Sequence, residues 1–348
     1  MSRENNSQIR IPWIDTLRTI SIFFIVLIHT GRNSSIVSIY TTSFFMPVFF
    51  FISGLFIKKS IKEQKFISFF KIKFQHLIIP YLTFSIVSYL IWFFLIGKLK
   101  GDSLPNNPLW DFIINTLYGV AGYGWMKYNI SLWFFPCLFI TELIFFFLIR
   151  LSPKKLPLTV FILSIIGYYY FEFIKIEHFR LPFSIDVAIT AVVFYTIGYL
   201  IKPYIFNEEF KTWYNFPSLF FGLLTYLIFS MFNETSAFVI GNFGKNYLYF
   251  YLAALSGIFF WCQISKIIKP HQIFAEIGKN TIVIFPLHLL LFPFFTGIAV
   301  YILKIPKELI DQSDIVALIY ALFAIFILVP VSWFLNRYIP FIIGKNIR

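Results

Sequence analysis

Charged residues are scarce in this 348-residue chain: Asp, Glu, Lys and Arg together make up 13%. A soluble globular domain carries about a quarter, so the shortage excludes an ordinary water-soluble fold. Acidic residues are the rarer sign, 16 against 29 Lys and Arg, for a formal net charge of +13. That excess does not gather into a nucleic-acid patch; the cations are scattered among apolar stretches, which makes them a topology signal. The two cysteines, Cys137 and Cys262, both lie in apolar segments, which argues against a structural disulfide, and they lack the spacing of a metal site. No internal repeat or separate soluble domain interrupts the chain. The first apolar run also lacks a small-residue cleavage site after it, so it reads as a retained span.

What the chain has in abundance is apolar and aromatic. It is 59% hydrophobic, with 49 Phe, 20 Tyr and 8 Trp, the composition of an all-α, polytopic transmembrane bundle. Ten spans are expected, at 13–31, 41–57, 77–97, 130–150, 156–174, 183–201, 216–232, 247–268, 281–303 and 315–336, forming one integral-membrane domain over 1–348. The second is interrupted by Pro47 and Gly54, which are tolerated where neighbouring helices satisfy the freed backbone groups. With the N-terminus in the cytoplasm, inner segments hold 19 Lys and Arg and outer segments 9. The positive-inside rule therefore places both termini in the cytoplasm.

Lys58, Lys59, Lys62, Lys65, Lys71 and Lys73 crowd the segment between spans two and three. They read either as a contact with anionic headgroups or as a surface for an anionic cofactor. The longest outer segment, 98–129, combines turn formers with the aromatic-rich DFIINTLYGVAGYGW, the makings of an interfacial cap.

The polar residues inside the spans are few, and each is a candidate site. Arg18 and His29 are eleven residues apart, which puts them within roughly 20° of each other on a helix and about 16 Å apart along its axis. Asp15 stands three residues before Arg18 and is placed either to hold the guanidinium or to compensate the helix N-terminus. Glu142 lies mid-span and needs a partner or a proton. His288 is either a polar group along a substrate tunnel or a helix-packing hydrogen bond. Arg18 itself reads equally as a snorkelling cation, and a lone buried His as structure. Asp186, with Glu177, His178 and Arg180 in the loop before it, is positioned on the outer side to touch a sugar.

In order along the chain, IDTLRTISIFFIVLIHT with Asp15, Arg18 and His29, then FFMPVFFFISGLFI with Ser53 and Gly54, then LWFFPCLFITELIF with Trp133, Phe134 and Glu142, then IGKNTIVIFPLHLL with Gly278, Asn280, Thr281 and His288 resemble the acyltransferase family 3 membrane proteins. The fucose 4-O-acetylase-like branch is the nearest in pattern. There is a departure: the family's arginine–two residues–arginine pair aligns with Lys73 and His76, which lack the bidentate guanidinium fork.

The resemblance implies a bacterial cell-membrane O-acyltransferase that moves an acyl group, usually acetyl, from cytoplasmic acyl-CoA to a hydroxyl of a cell-surface glycan or lipid-linked sugar, without a metal or nucleic acid. Arg18, Lys71, Lys73 and His76 are then expected to hold the phosphates of acetyl-CoA. His29, with Arg18, is expected to be catalytic as the general base. Asp15, Ser53, Trp133, Glu142 and His288 are expected to support the site, Ser53 or Trp133 as oxyanion donors. The competing class is an exporter of polysaccharide or lipid-linked sugar. The chain shows no paired halves with matching broken helices, a frequent transporter signature.

Overall fold

A computed structural model describes residues 11–97, 106–151, 154–173, 179–206, 216–311 and 313–345. Among them there is no strand, only isolated bridges at Gly122–Trp125 and Ala237–Asn242. Among the described residues nine helices are long and apolar enough to cross a membrane. The first helix, α1 (Pro12–Ile28), has 17 residues, or about 25 Å of rise, close to a hydrocarbon core's thickness. Pro12 at its first position is placed where a missing N–H costs nothing. The protein is an all-α, multi-pass membrane protein.

The second span is a broken one. α2 (Ser35–Thr42) and α3 (Phe45–Phe56) meet at Ser43 and Phe44, so the apolar segment begins before the expected residue 41. Pro47 falls in the first turn of α3, where it has no intrahelical bond to break. Gly54 has a packing reason. A Cβ there would stand 1.9 Å from the carbonyl oxygen of Tyr195, and one at Gly198 would stand 2.1 Å from that of Phe51. The two glycines thus let α3 and α8 (Ile185–Ile205) touch backbone to backbone, as small residues do between membrane helices.

The third span corrects the expected boundary. α4 runs from Phe66 to Ile96, so Lys71, Lys73 and His76 sit on a helix and not in a loop. Their interleaving with Phe69, Phe70 and Phe74 makes an amphipathic entry turn. The helix widens to π geometry at Phe74–Ile78, just ahead of Pro80, whose ring clashes with the carbonyl four residues back in a regular α-helix. Gly344, at φ +74°, lies so close to this turn that a Cβ would meet the Gln75 carbonyl at 2.4 Å. The C-terminal segment is thereby seated beside His76.

The remaining α-helices of eight residues or more among the described residues are α5 (Pro108–Tyr118), α6 (Phe134–Leu148), α7 (Lys155–Phe173), α9 (Phe216–Asn233), α10 (Tyr247–Ile267), α11 (Gln272–Lys279), α12 (Thr281–Gly297) and α13 (Asp314–Tyr338). Fully buried side chains such as Leu17, Phe50, Phe145, Phe194 and Phe250 make the core. Phe161, Tyr169 and Phe173 on α7, Phe216 and Phe221 on α9, and Phe326 on α13 are exposed on the outside of the bundle, the surface that lipid would cover.

The expected outer cap is partly visible, 98–105 lying outside the described residues. α5 is capped by Asn107 and stopped by Gly119 at φ 66°. Asp111 accepts from Lys127 Nζ at 2.8 Å and Tyr128 OH at 2.6 Å. Partial burial pushes its carboxyl up, but those two bonds and the Lys127 charge carry it below the ordinary carboxylate value.

Candidate functional site

α11 presses on the first turns of α1. Gly278 approaches so closely that a Cβ would meet the Asp15 carbonyl oxygen at 2.2 Å. Thr19 Oγ1 donates to the Phe274 carbonyl at 2.6 Å. Asp15, buried at 4% exposure, stands 3.6 Å from Arg18 Nη1, and the guanidinium also lies over the Phe56 ring at 5.0 Å. The i,i+3 pairing expected from spacing is present.

Arg18 opens onto a cavity of about 490 Å³ at the bundle end that carries the Lys-rich segment. Its cations are Arg18, Lys279 and Lys345, and His76 lines it too. Ser53 and Thr281 add hydroxyls, and Phe134 and Phe285 line it as well. His29 lines a different cavity of about 760 Å³, toward the opposite ends of α1 and α12, with Arg32, Thr296 and Lys307. Arg18 and His29 therefore serve two chambers rather than one.

Between the chambers stands α12. Phe285 lines the first, Leu289 and Phe292 line the second, and His288 between them is fully buried. His288 Nδ1 is 2.6 Å from the Phe285 carbonyl oxygen and 3.3 Å from that of Ile284. Its Nε2 is 3.0 Å from His29 Nδ1. Two histidines 259 residues apart are thus hydrogen-bonded ring to ring. In the second chamber Arg32 bonds the Thr30 carbonyl at 2.7 Å and Thr296 Oγ1 at 2.9 Å, and lies over Tyr320 at 4.7 Å.

Several expected site residues are elsewhere. Lys73 Nζ is 2.8 Å from Glu142 Oε1, which Tyr195 OH also approaches at 3.4 Å. Glu142 has its partner, and Lys73 is committed to it instead of the cavity. Lys71 is exposed and lines neither chamber. Ser53 lines the first chamber but donates its hydroxyl to the Phe49 carbonyl at 2.8 Å. Trp133 is buried against Phe134 and Phe238 and lines neither chamber.

Arg180 and Asp186 turn to each other. They form a buried bidentate pair, Nε to Oδ2 at 2.5 Å and Nη2 to Oδ1 at 3.2 Å. Arg180 also donates to the carbonyls of Ala121 at 2.9 Å and Val239 at 3.0 Å, stapling three interhelical segments. Glu177 and His178 lie outside the described residues.

Three cavity cations escaped the sequence reading. Lys279 sits between Gly278 and Asn280, inside a motif it shares with the family. Arg32 lies past the end of α1, beyond Gly31 at φ +67°, so the helical repeat says nothing of where it points. Lys345 has no sequence signal; it reaches the first chamber only because Gly344 is seated on α4.

No curated protein and no solved structure matches the chain. A family model described as an acyltransferase domain matches residues 11–337. With a cation-lined chamber at one end, a histidine-lined chamber at the other and that match over nearly its whole length, the chain belongs to the acyltransferase 3 family of membrane proteins.

Proposed function

We propose that the protein is an O-acyltransferase that takes an acyl group, acetyl in the first instance, from acyl-CoA and places it on a hydroxyl of a glycan or lipid-linked sugar. The observation that carries this reading is the division of labour between two chambers: Arg18, Lys279, Lys345 and His76 line one, and His29 lines the other. Several phosphates need several cations, and a guanidinium offers charge-assisted bonds to them. A sugar hydroxyl needs a base that is unprotonated at neutral pH, the natural task of an imidazole. The 19-to-9 distribution of Lys and Arg supports a cytoplasmic first chamber, where acyl-CoA resides.

In this reading the nucleotide end stays with Arg18 and the pantetheine arm runs along α1 for the ~16 Å of helix rise to His29. It passes the Phe134–Phe285 pair, whose ring centroids are 5.4 Å apart. The acceptor hydroxyl gives its proton to His29 as its oxygen attacks the thioester carbonyl. The carbon–sulfur bond then breaks, and the departing CoA thiolate recovers that proton from the imidazolium. The product is an ester and a free thiol, with His29 neutral again.

The test is thiol release from acetyl-CoA by the purified protein, with and without an extract of cell-surface glycan. Transfer should depend on His29: the His29→Gln protein keeps a hydrogen-bonding amide but has no basic nitrogen. Its turnover should fall by ~10²–10⁴-fold with donor binding retained. Near-normal turnover would exclude His29 as the base.

A further inference from the structure

We infer that His288 is a positioning residue that holds His29 in the tautomer protonated at Nδ1, leaving the Nε2 lone pair as the one offered to the acceptor hydroxyl. The inference rests on the acyl-transfer reading for its purpose, but its argument is a count of protons.

His288 Nδ1 faces two carbonyl oxygens, of Phe285 at 2.6 Å and Ile284 at 3.3 Å. Carbonyl oxygens only accept, so this nitrogen carries a proton. A neutral imidazole has one N–H, so His288 Nε2 is then an acceptor. Its partner 3.0 Å away is His29 Nδ1, which must donate. The proton of His29 is thereby fixed on Nδ1, and its Nε2, across the ring, is bare.

The opposite arrangement needs a doubly protonated His288. That imidazolium would be fully buried, between the rings of Phe285 and Phe292 at 6.1 and 5.9 Å, with carbonyl oxygens for its Nδ1. An ion without a counter-charge in such surroundings costs several kcal/mol, so the neutral form holds. The local backbone supports the same choice. Phe285 precedes Pro286 within α12, and its carbonyl also lies 3.2 Å from Ser131 Oγ. Asn129 Nδ2 donates to the Pro286 carbonyl at 2.6 Å. The acceptor that orients His288 is therefore itself held by the turn before α6. Orientation of a catalytic imidazole through its other nitrogen is what keeps the correct lone pair toward the substrate.

The experiment uses the full chain in lipid nanodiscs with ¹⁵N-labelled histidine. The protein has five histidines, so the His29 ring signals are assigned by their loss in His29→Gln. Wild type should show Nδ1 protonated and Nε2 bare. His288→Leu removes the acceptor: the His29 proton should redistribute toward Nε2, and turnover should fall by ~10²–10⁴-fold at unchanged KM for acetyl-CoA. His288→Gln should restore much of both, because its amide oxygen can accept from His29 while its NH₂ donates to Phe285.

A wild-type His29 protonated on Nε2, or a His288→Leu protein with the wild-type spectrum and turnover, overturns the assignment. Should the Leu variant not fold, the wild-type spectrum and the Gln variant still judge it. A dispensable His29 would remove the base from the proposed function, whereas the ring spectrum decides the role of His288 by itself.

Discussion

Removing Arg180 should strongly destabilise the fold. Its side chain is 4% exposed and that of Asp186 0%. Arg180→Ala deletes two charge-assisted bonds and leaves the Asp186 carboxylate with backbone donors at Val187, 2.8 Å, and Leu181, 3.4 Å. It also takes the donor from the Ala121 and Val239 carbonyls. Breaking a buried pair from one side costs ~3–5 kcal/mol, most of it the penalty of the stranded charge. At about 2 °C per kcal/mol for a chain this large, the thermal transition should drop by ~6–10 °C. Intrinsic-fluorescence melting in detergent measures it. The double variant Arg180→Met with Asp186→Leu strands no charge, so it should be less destabilised than Arg180→Ala. An Arg180→Ala protein melting within 2 °C of wild type (about 1 kcal/mol), or a double variant as unstable as the sum of the singles, would refute the staple.

Arg18→Ala should weaken acyl-CoA binding by ~1.5–3 kcal/mol, roughly 10–150-fold by isothermal titration; unchanged affinity in a folded protein would leave Arg18 a structural partner of Asp15. Lys73→Met should lower thermal stability by leaving Glu142, 4% exposed, without its cation, while acyl-CoA affinity stays within about twofold; the reverse pattern would return Lys73 to the donor site. Gly198→Ala should cost at least ~1–3 kcal/mol, because its Cβ would stand 2.1 Å from the Phe51 carbonyl oxygen, a backbone atom that cannot rotate away. A cysteine at Lys65 should escape an impermeant thiol reagent in intact cells while one at Asn106 reacts, and the opposite labelling would invert the orientation and place the Arg18 chamber outside.

Local features were legible in the residues. Apolar run length is enough to specify membrane helices, since a backbone in hydrocarbon must satisfy its own hydrogen bonds. Helical repeat alone set Arg18, Asp15 and His29 along α1, because their relation involves only 3.6 residues per turn. The acyltransferase motifs were readable because they are short ordered strings, contiguous in sequence, even where one runs from α11 into α12. Long-range pairing was not. His29 meets His288, Lys73 meets Glu142, and Lys345 reaches the Arg18 chamber, each across separate helices. Such pairings depend on which helix packs beside which. In a soluble bundle an apolar stripe marks the buried face. Here lipid and protein interior are equally apolar, so helices such as α7, α12 and α13 carry Phe, Ile and Leu on every side. Close backbone approach at Gly54, Gly198 and Gly278 then selects the neighbours, and only the assembled bundle shows which polar groups those contacts bring together.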